Sequence, residues 1–531
     1  MASNMLSTFL LLLPLIASTS QTIFVSADPT YDSFANCLAE NGIPRDQISR
    51  ILYSPTSSSF SSVLNAYVRN LRFNTTSTKK PSIIVTPLQL QGVQAAVLCT
   101  KQSNLQLKIR SGGHDYEGIS YVSENNFVIL DMFNIRNITV DISTKTAWVQ
   151  TGATLGELYY RIWKQSNVYG FPAGVCPTVG VGGHISGGGY GPLLRKFGLT
   201  VDNVVDAQII DVNGNVLDRK GMGEDLFWAI RGGGGASFGV VLSYKINLVP
   251  VPPIVTVFNV QRTQAQNATD ILVQWQNVAS KYDDNLFIRV LVQPVTINKS
   301  RGIRLTFIAL YLGDSNSLLS VINSKLPKLG LKKSDCIETS WIRSMLFWMN
   351  FDIKTAPEAL LSRTPDSVNF LKRKSDYVQT PIPKTALTSI FAKMVQLGKV
   401  GFVFNPYGGR MGQIAETETP FPHRAGIIYK IQYSVNWQDA SPDLAQQYLA
   451  QAKELYSFMT PYVSSNPRQA FLNYRDLDIG STTNGKDNYN EGRVYGLKYF
   501  KGNFDRLVRV KTAVDPGNFF KNEQSIPPLS H

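Results

Sequence analysis

The sequence predicts an α+β protein with two domains. Short strand patterns alternate with helical patterns up to residue 247, whereas longer strand patterns dominate from residue 254 onward. Between them, Pro250, Pro252 and Pro253 mark a boundary. The chain of 531 residues has room for two or three large units, at roughly 150 residues per domain. We therefore expect a first domain at 28–247, with its core at 80–247, a second at 248–475, and a C-terminal segment at 476–531.

The first 27 residues are predicted to be a signal peptide that is not part of the fold. Residues 9–17 form a short apolar run, and Val25-Ser26-Ala27 is the small-residue pattern that a signal peptidase cleaves. A membrane span would need about 20 apolar residues, more than this run or any later segment supplies. The expected location is the extracellular space or cell wall, or a vacuole or secretory vesicle. Four N-glycosylation sequons agree with secretion: Asn74, Asn137, Asn267 and Asn298.

Composition narrows the class of protein further. With 43% apolar and 17% charged residues, the chain fits a globular protein and not a disordered or fibrous one. A net charge of +14 favours an acidic partner, which after export is a wall polysaccharide rather than nucleic acid, although a charged surface without a partner explains it equally well. Four cysteines allow three pairings, among them Cys37 with Cys99, and the sequence alone leaves the choice open.

The first domain is expected to open with helices over 28–80. A helix is then predicted from Thr86 as N-cap and Pro87 as first helical residue to about residue 101. Thr154 and Glu157 form a capping-box signature for the next helix. Strands are expected at 83–85, 107–110, 127–131, 146–150 and 204–212, the last followed by an Asn213-Gly214 hairpin turn.

The second domain is predicted to be an antiparallel sheet backed by helices. Its clearest helix has Ser441 as N-cap, Pro442 as first residue, and extends to about residue 459. A short amphipathic helix near 504–511, stopped by Asp-Pro-Gly at 515–517, needs a surface on which to dock. The expected strands are 255–260, 286–293, 304–312 and 427–437.

Two glycine-rich segments indicate a ligand site. They are RSGGHDYEG at 110–118 and GVCPTVGVGGHISGGGYG at 174–191. Because glycine has no Cβ, backbone N–H groups at this density can approach an anion closely. The two segments together therefore predict a site for a pyrophosphate-containing cofactor.

The common nucleotide and zinc motifs explain these segments less well. A P-loop requires Gly-Lys-Ser/Thr, but Gly189 is followed by Tyr190. Asp206 could serve as the acidic residue of a Rossmann motif, yet a Cys-Pro pair ahead of the glycines is foreign to that motif. His114, His184 and Cys176 have the spacing of no compact zinc site.

Four segments closely resemble the plant berberine bridge enzyme-like (reticuline oxidase-like) family of FAD-linked oxidases, which belongs to the vanillyl-alcohol-oxidase type of flavoproteins. The resemblance covers nearly the whole mature chain. It implies an FAD-binding domain, a substrate-binding domain, a C-terminal segment that rejoins the FAD-binding domain, and a Cys37–Cys99 disulfide. The segments are 110–118, 174–191, NYRDLD at 473–478 and VDPGNFF at 514–520.

The resemblance implies FAD bonded covalently to both His114 and Cys176. Two bonds would fix the flavin ring and make it a stronger electron acceptor, while the protein supplies position and electrostatics. In this family the residue three positions after the linking cysteine controls access of dioxygen, and Val179 is typical of oxidases, which release hydrogen peroxide. Further FAD contacts are expected from Ser111, Gly112, Gly113, Val179, Gly180, Gly182, Gly183, Gly187 and Asn518.

The strand predicted at 427–437 carries polar side chains on one face. Lys430, Gln432, Ser434 and Asn436 alternate with apolar residues, as in any half-solvated strand. In the family, however, this face looks onto the flavin, and alkaloid-cyclising members have a glutamate base at the position of Gln432. Glutamine cannot accept a proton, so the base must be another residue.

The family's alcohol-oxidising branch has the residues found here at five positions. By that resemblance Tyr190 is the base, with its phenolate favoured by the Lys430 ammonium, because an unperturbed tyrosine titrates near 10. Tyr116, Gln432 and Tyr474 are expected to orient the substrate hydroxyl.

The expected activity is therefore oxidation of an alcohol, with hydride transfer to FAD and reoxidation by dioxygen. Candidate substrates are p-hydroxycinnamyl alcohols and the anomeric hydroxyl of wall-derived oligosaccharides. Two alternatives use the same scaffold: oxidative cyclisation or cycloaddition of prenylated phenols or alkaloids, and a non-catalytic extracellular defence or binding protein with a vestigial flavin. Aromatic residues of the second domain line the pocket or form its core: Trp341, Phe347, Trp348 and Tyr407.

Overall fold

The structure is a computed structural model that describes residues 28–297, 299–365, 367–482 and 489–529. The predicted signal peptide and the sequon residue Asn298 lie outside these residues. The described part has the α+β architecture that the sequence predicts, with helices and four sheets.

Helices occur along the whole described chain. They are α1 Pro29–Glu40, α2 Arg45–Ile51, α3 Phe60–Asn65, α4 Leu90–Gln102, α5 Leu155–Gln165, α6 Val181–Ser186, α7 Leu194–Phe197, α8 Arg219–Ala229, α9 Ala268–Val278, α10 Ser315–Lys325, α11 Trp341–Trp348, α12 Lys384–Leu397, α13 Pro442–Phe458, α14 Tyr489–Phe500 and α15 Phe504–Val514. In the part of the chain that the structure describes, none of them combines the length and hydrophobicity needed to cross a lipid bilayer.

The strands fall into a group before residue 251 and a group after residue 254. They are β1 Leu52–Tyr53, β2 Ile83–Val85, β3 Gln106–Arg110, β4 Phe127–Asp131, β5 Ile138–Asp141, β6 Thr146–Gln150, β7 Tyr169–Gly170, β8 Val204–Ile210, β9 Val216–Leu217, β10 Val240–Asn247, β11 Val249–Pro250, β12 Val255–Thr263, β13 Leu286–Ile297, β14 Ser300–Tyr311, β15 Cys336–Thr339, β16 Phe370–Val378, β17 Gly401–Pro406 and β18 Tyr429–Trp437.

Two sheets form the first part of the molecule. In the four-stranded sheet, of order β1-β2-β4-β3, strands β2, β3 and β4 pair in parallel and β1 adds an antiparallel edge. The five-stranded sheet has the order β5-β6-β10-β8-β9 and is antiparallel. Strands β8 and β9 form the hairpin expected around Asn213 and Gly214, with Ile210 paired to Val216.

A seven-stranded antiparallel sheet forms the second part, in the order β15-β12-β14-β13-β17-β18-β16. Helices α9, α12 and α13 cover one face, where Trp275 and Leu455 pack with Ile431 in a hydrophobic core. Because side chains alternate along a strand, Lys430 and Gln432 of β18 lie on the opposite face. The change of sheet falls between β10 and β12, at the predicted proline-rich boundary, while the exact domain bounds remain predictions.

Local signals in the sequence agree with several helix starts. Thr154 and Glu157 form the predicted capping box of α5, and the Ser441 hydroxyl caps α13. The start predicted at Thr86 and Pro87 is wrong, because the Thr86 N–H donates to the Ile51 carbonyl beside β1 and so continues the sheet. Helix α4 begins only at Leu90.

The ends of the chain are held on the first part of the molecule. Cys37 on α1 and Cys99 on α4 form a disulfide, as the family resemblance implies. Helix α15 packs on α8, where the Arg506 guanidinium carbon lies 4.1 Å from the Trp228 ring centroid. The side chain of Asn74 is exposed at its sequon, as are those of Asn137 and Asn267.

Candidate active site

A cavity of about 420 Å³ lies between the glycine-rich segments and the polar face of the seven-stranded sheet. The loop at 233–237 and the chain at 471–475 complete its walls, together with residues near 521–524. Sequence segments that are hundreds of residues apart thus contribute to one site.

Most of the predicted site residues line this cavity, but a few do not. Asn518 is not among the lining residues and lies in the turn after α15, where its N–H donates to Asp515. Trp341, Phe347, Trp348 and Tyr407 do not line it either. The lining residues that the sequence predicts are Ser111, Gly112, Gly113, His114, Tyr116, Cys176, Val179, Gly180, Gly182, Gly183, Gly187, Tyr190, Gln432 and Tyr474.

The two glycine-rich segments touch through their backbones. A Cβ added to Gly112 would lie 2.3 Å from the Gly180 nitrogen, and a Cβ on Gly180 would lie 2.1 Å from Ser111 Oγ. Ser111 Oγ also donates to the Thr151 carbonyl at 2.5 Å. Only glycine at both positions allows this approach, which brings His114 and Cys176 to the same cavity.

The backbone around His114 fits a pyrophosphate-containing cofactor. Within the described ranges, the N–H groups of Gly112, Gly113 and His114 have no acceptor in the protein, and both glycines are buried. A Cβ on Gly183 would meet no atom within 4 Å, so this position faces open space. Since buried N–H groups are nearly always paired, these amides are suited to bind an anionic ligand. The residues present therefore fit FAD.

His114 is a neutral imidazole in this environment. Its Nε2 lies 2.9 Å from the Thr178 hydroxyl. Burial lowers the pKa of His114 to about 3, with a further contribution from Arg69. The ring is therefore neutral at physiological pH, and one of its two nitrogens is unprotonated and able to form a bond.

Three tyrosines form one aromatic cluster at the cavity wall. The hydroxyls of Tyr190 and Tyr474 are hydrogen-bonded to each other, and Gln432 Nε2 donates to the Tyr116 hydroxyl at 2.9 Å. The ring centroids of Tyr116 and Tyr474 are 5.8 Å apart. Burial raises the pKa of Tyr116 to about 12 and raises that of Tyr474 well above its ordinary value. Both hydroxyls thus remain protonated and can donate hydrogen bonds.

Lys430 lies behind this cluster and does not line the cavity. Its Nζ is 3.4 Å from the ring centroid of Tyr190, 3.5 Å from that of Phe471 and 4.4 Å from that of Tyr474. The side chain is fully buried. Burial, with the nearby Arg289 guanidinium, lowers the pKa of Lys430 well below its usual range. The aromatic faces favour the cation, so their attraction opposes the effect of burial on this amine.

Several residues of the site carry no signal in the sequence. Arg289 of β13 lines the cavity, and the guanidinium carbon of Arg373 on β16 is 5.5 Å from the Tyr116 ring centroid. Sequence reasoning missed both, because their strands reach the site only through long-range pairing. Asn473 belongs to the NYRDLD motif, and its amide donates to the Gly183 carbonyl and accepts from the Gly189 N–H, which fixes the second glycine-rich segment.

Two family profiles match the chain. The profile described as FAD binding domain matches residues 81–219, and the profile described as berberine and berberine like matches residues 470–527. Berberine bridge enzyme-like 21 of Arabidopsis thaliana is 57% identical over 522 residues, which are 98% of this chain and 96% of that protein.

Solved structures share the fold over almost the whole chain. Berberine bridge enzyme from Eschscholzia californica is 36% identical with a TM-score of 0.88, covering 94% of this chain and 99% of that one. Wild-type Phl p 4.0202, a glucose dehydrogenase, is 44% identical with a TM-score of 0.89, covering 94% and 100%. Phl p 4 is a grass pollen allergen. A variant of it with valine in place of isoleucine is described as a glucose oxidase.

Proposed function

The chain belongs to the berberine bridge enzyme-like family of FAD-binding oxidoreductases, and on this premise we propose that it is a secreted alcohol oxidase. Its candidate substrates are p-hydroxycinnamyl alcohols and the anomeric hydroxyl of oligosaccharides, with hydrogen peroxide as the second product. Secretion into the wall would allow the net charge of +14 to hold the protein on acidic polysaccharide. The glucose-oxidising activity stated for Phl p 4 and its variant supports the oligosaccharide candidate.

One observation carries the proposal: the hydrogen-bonded Tyr190–Tyr474 pair lies on the cavity wall with the Lys430 amine behind its rings. Tyr190 takes the hydroxyl proton of the alcohol, and Tyr474 stabilises the phenolate by donating to it. Tyr116, held by Gln432, donates to the substrate oxygen and fixes its orientation. Bound FAD supplies the hydride acceptor, which dioxygen reoxidises.

Gln432 separates this site from one that uses a carboxylate base. Its side-chain amide donates a hydrogen bond to the Tyr116 hydroxyl. Unlike a carboxylate, an amide cannot act as a proton-accepting base near neutral pH. This supports alcohol oxidation over the alkaloid-cyclising reaction that uses glutamate at this position.

We further propose that FAD is bonded covalently to both His114 and Cys176, since both line the cavity. After acid precipitation the yellow chromophore should remain with the protein. His114→Ala alone and Cys176→Ala alone should each retain it through the other bond, while the double variant should release it. Free FAD in the supernatant of the native protein would disprove the double linkage.

Tyr190→Phe tests the base assignment. Removing the phenol oxygen should slow anaerobic flavin reduction by about 10²–10⁴-fold, the usual contribution of a positioned base, with little change in substrate affinity. Tyr448→Phe on α13, away from the cavity, is the matched control and should behave as the wild type. Equal reduction rates in all three proteins would remove Tyr190 from the mechanism.

The activity itself is tested by mixing the anaerobic holoprotein with p-hydroxycinnamyl alcohols and with glucose oligomers. Bleaching of the flavin by one of these classes, followed by peroxide release when air is admitted, is the expected result. A holoprotein that no alcohol or sugar bleaches would favour a non-catalytic role and end the proposal.

A further inference from the structure

A row of polar side chains crosses the seven-stranded sheet behind the Tyr190–Tyr474 pair. Tyr377 on β16 is directly opposite Lys430 on β18, and Lys430 is opposite Asn405 on β17. Asn405 Oδ1 accepts a hydrogen bond of 2.9 Å from Arg289 Nε on β13. Residues directly opposite each other on neighbouring strands project to the same face. The row therefore lies on the face that carries the cavity.

Among the described residues, Lys430 Nζ of this row has no hydrogen-bond partner, and the nearby hydroxyls of Tyr377 and Tyr407 interact with each other. All three side chains have no exposed surface. The rings of Tyr377 and Tyr407 meet edge to face with centroids 5.8 Å apart. Buried polar groups are almost always bonded to protein or to ordered water, and buried waters join two to four such groups. Water is the ligand that this arrangement suits.

We infer that Lys430, Tyr377 and Tyr407 bind buried water between them and form a proton relay that connects Tyr190 with solvent. This inference rests on the proposed function, because it supplies the route for the proton that Tyr190 takes from the alcohol. Lys430 contacts the rings of Tyr190 and Tyr474, whereas Tyr377 and Tyr407 act through Lys430.

The far end of the relay lies near the Arg424–Asp202 ion pair, beside a second cavity. This cavity of about 580 Å³ opens to the surface and is lined by Gly408, Arg424 and Ile428, among other residues. Tyr407 precedes Gly408 in the chain, and its N–H donates to the Ile428 carbonyl at 2.9 Å. Arg424 is paired with Asp202 at 2.7 Å at this end. The Tyr407 hydroxyl interacts electrostatically with Arg424 and Asp202, so a proton that reaches it is close to an ion pair whose arginine lines the open cavity.

Protons are balanced over each turnover. The O–H bond of the alcohol breaks, its proton passes to the Tyr190 oxygen, and the C–H hydride leaves to the acceptor. Tyr190 then returns to phenolate by giving a proton to the water chain, which hands it through Lys430 and the two hydroxyls to solvent. Formation of peroxide from dioxygen draws one proton back by the same route.

The charges around Lys430 suit a group that gains and loses a proton. The ionisable groups near it are Tyr190 and Tyr474 below, Tyr377 beside it, Arg289 across the row, and two histidines, His184 and His423. Burial lowers the pKa of both histidines to about 3, so they stay neutral. Arg289 is thus the fixed positive charge that opposes a permanent charge on the amine.

The binding part of the inference is tested by a high-resolution crystal structure of the holoenzyme, which needs no substrate. A water within about 2.7–3.2 Å of Lys430 Nζ and of at least one tyrosine hydroxyl is expected. A protein acceptor bonded directly to Lys430 Nζ, or no ordered water between these groups, would overturn it.

The transfer part is tested with Tyr377→Phe and Tyr407→Phe holoenzymes, mixed anaerobically with p-hydroxycinnamyl alcohol and with cellobiose. Flavin bleaching and proton release to a pH indicator dye are followed together, in water and in D₂O. Proton release should slow by about tenfold in each variant, a part of what positioned proton transfer contributes, and its solvent isotope effect should change. Tyr429→Phe, whose hydroxyl bonds Gln276 in the buried core, is the matched control and should match the wild type.

The outcomes separate the two proposals. If the wild type is bleached and both relay variants release protons at its rate and with its isotope effect, the relay is overturned and the oxidase assignment stands. If neither probe bleaches the wild type, the proposed function fails and the relay fails with it.

Discussion

Val179 lies in the cavity wall three residues after Cys176 and presents a short branched side chain. We expect Val179→Leu to slow reoxidation of the reduced flavin by dioxygen by roughly 10- to 200-fold, because one added methylene in a tight apolar site costs that much in rate. Anaerobic reduction by substrate should keep its rate. Stopped-flow mixing of dithionite-reduced protein with aerated buffer measures the oxidative step without any substrate.

The variant provides its own control, since both half-reactions are measured on one protein. A fall in both rates together would mean that the added methylene disturbs flavin binding and not access of dioxygen. Unchanged reoxidation would show that Val179 does not control access.

The site residues that could be predicted from the sequence are those that lie inside a recognisable motif or a segment of unusual composition. His114 and Cys176 stand inside glycine-rich segments whose composition alone indicates an anion site, and the family resemblance implies the covalent bonds to FAD that we propose for them. Arg289 and Arg373 stand in ordinary strand sequence, and nothing near them in the chain marks them. They join the site only because β13 and β16 pair into the sheet above the cavity.

Buried ion pairs connect strand β16 of the seven-stranded sheet to the first glycine-rich segment and to the NYRDLD motif. Lys372 Nζ contacts Glu117 and lies 2.8 Å from Asp476, while Lys374 Nζ lies 2.8 Å from Asp476 and 2.6 Å from Asp478. Glu117 follows Tyr116 directly, and Asp476 lies two residues after Tyr474. The network therefore fixes two tyrosines of the site relative to the sheet.

Lys372→Met should destabilise the protein by about 3–5 kcal/mol, because it leaves carboxylates buried without their cation. The double variant Lys372→Met with Glu117→Gln should recover part of this loss, since the carboxylate charge is then also absent. Urea unfolding followed by circular dichroism measures both. Lys384→Met, which breaks the exposed pair with Asp270, is the control and should leave stability unchanged.

Equal destabilisation of the single and double variants would mean that Lys372 contributes packing and not charge compensation. A stability loss no greater than that of the exposed-pair control would show that the network is not needed for the fold.

The elements that could be predicted are those defined by local signals. The capping box of α5 and the cap of α13 depend on residues within one helical turn, and both are present. Strand β16 has no such signal: its run Lys-Arg-Lys-Ser-Asp is polar, and its partners lie over 50 residues away in β18 and over 100 away in Asp476. The predicted start of α4 fails for the same reason, because Thr86 is held by the distant Ile51.

The walls of the cavity come from segments along most of the chain. The glycine-rich segments give one wall, the seven-stranded sheet another, and residues near 521–524 another. Buried Lys511 ties α15 to this arrangement, since its Nζ donates to the carbonyls of Ser237 and Phe520, each at 2.7 Å. The change from short to long strands near residues 250–254 could be predicted from the sequence, but the way the two parts of the molecule together line one cavity could not.

Burial of neutral histidines across the molecule makes its stability depend on pH. Burial lowers the pKa of His184 and of His423 to about 3, whereas an unfolded histidine titrates near 6.5. Below about pH 6.5 the unfolded chain therefore binds more protons than the native protein, and the free energy of unfolding falls as pH decreases toward 3. At pH 5 the loss relative to pH 8 should be on the order of 2 kcal/mol for each histidine.

His423→Gln isolates one of these contributions. In the wild type, His423 Nδ1 lies 2.7 Å from Gln469 Oε1, and its Nε2 lies 3.0 Å from the Tyr499 carbonyl oxygen. The imidazole also stacks on the Tyr377 ring of β16. It therefore connects β16 to the C-terminal segment. The variant loses stability at every pH because the ring packing is lost. Its free energy of unfolding should nevertheless change less steeply between pH 8 and pH 5, because the unfolded variant has one fewer histidine to protonate. Urea titrations at several pH values measure the slope, and a slope equal to that of the wild type would show that His423 already titrates normally in the folded protein.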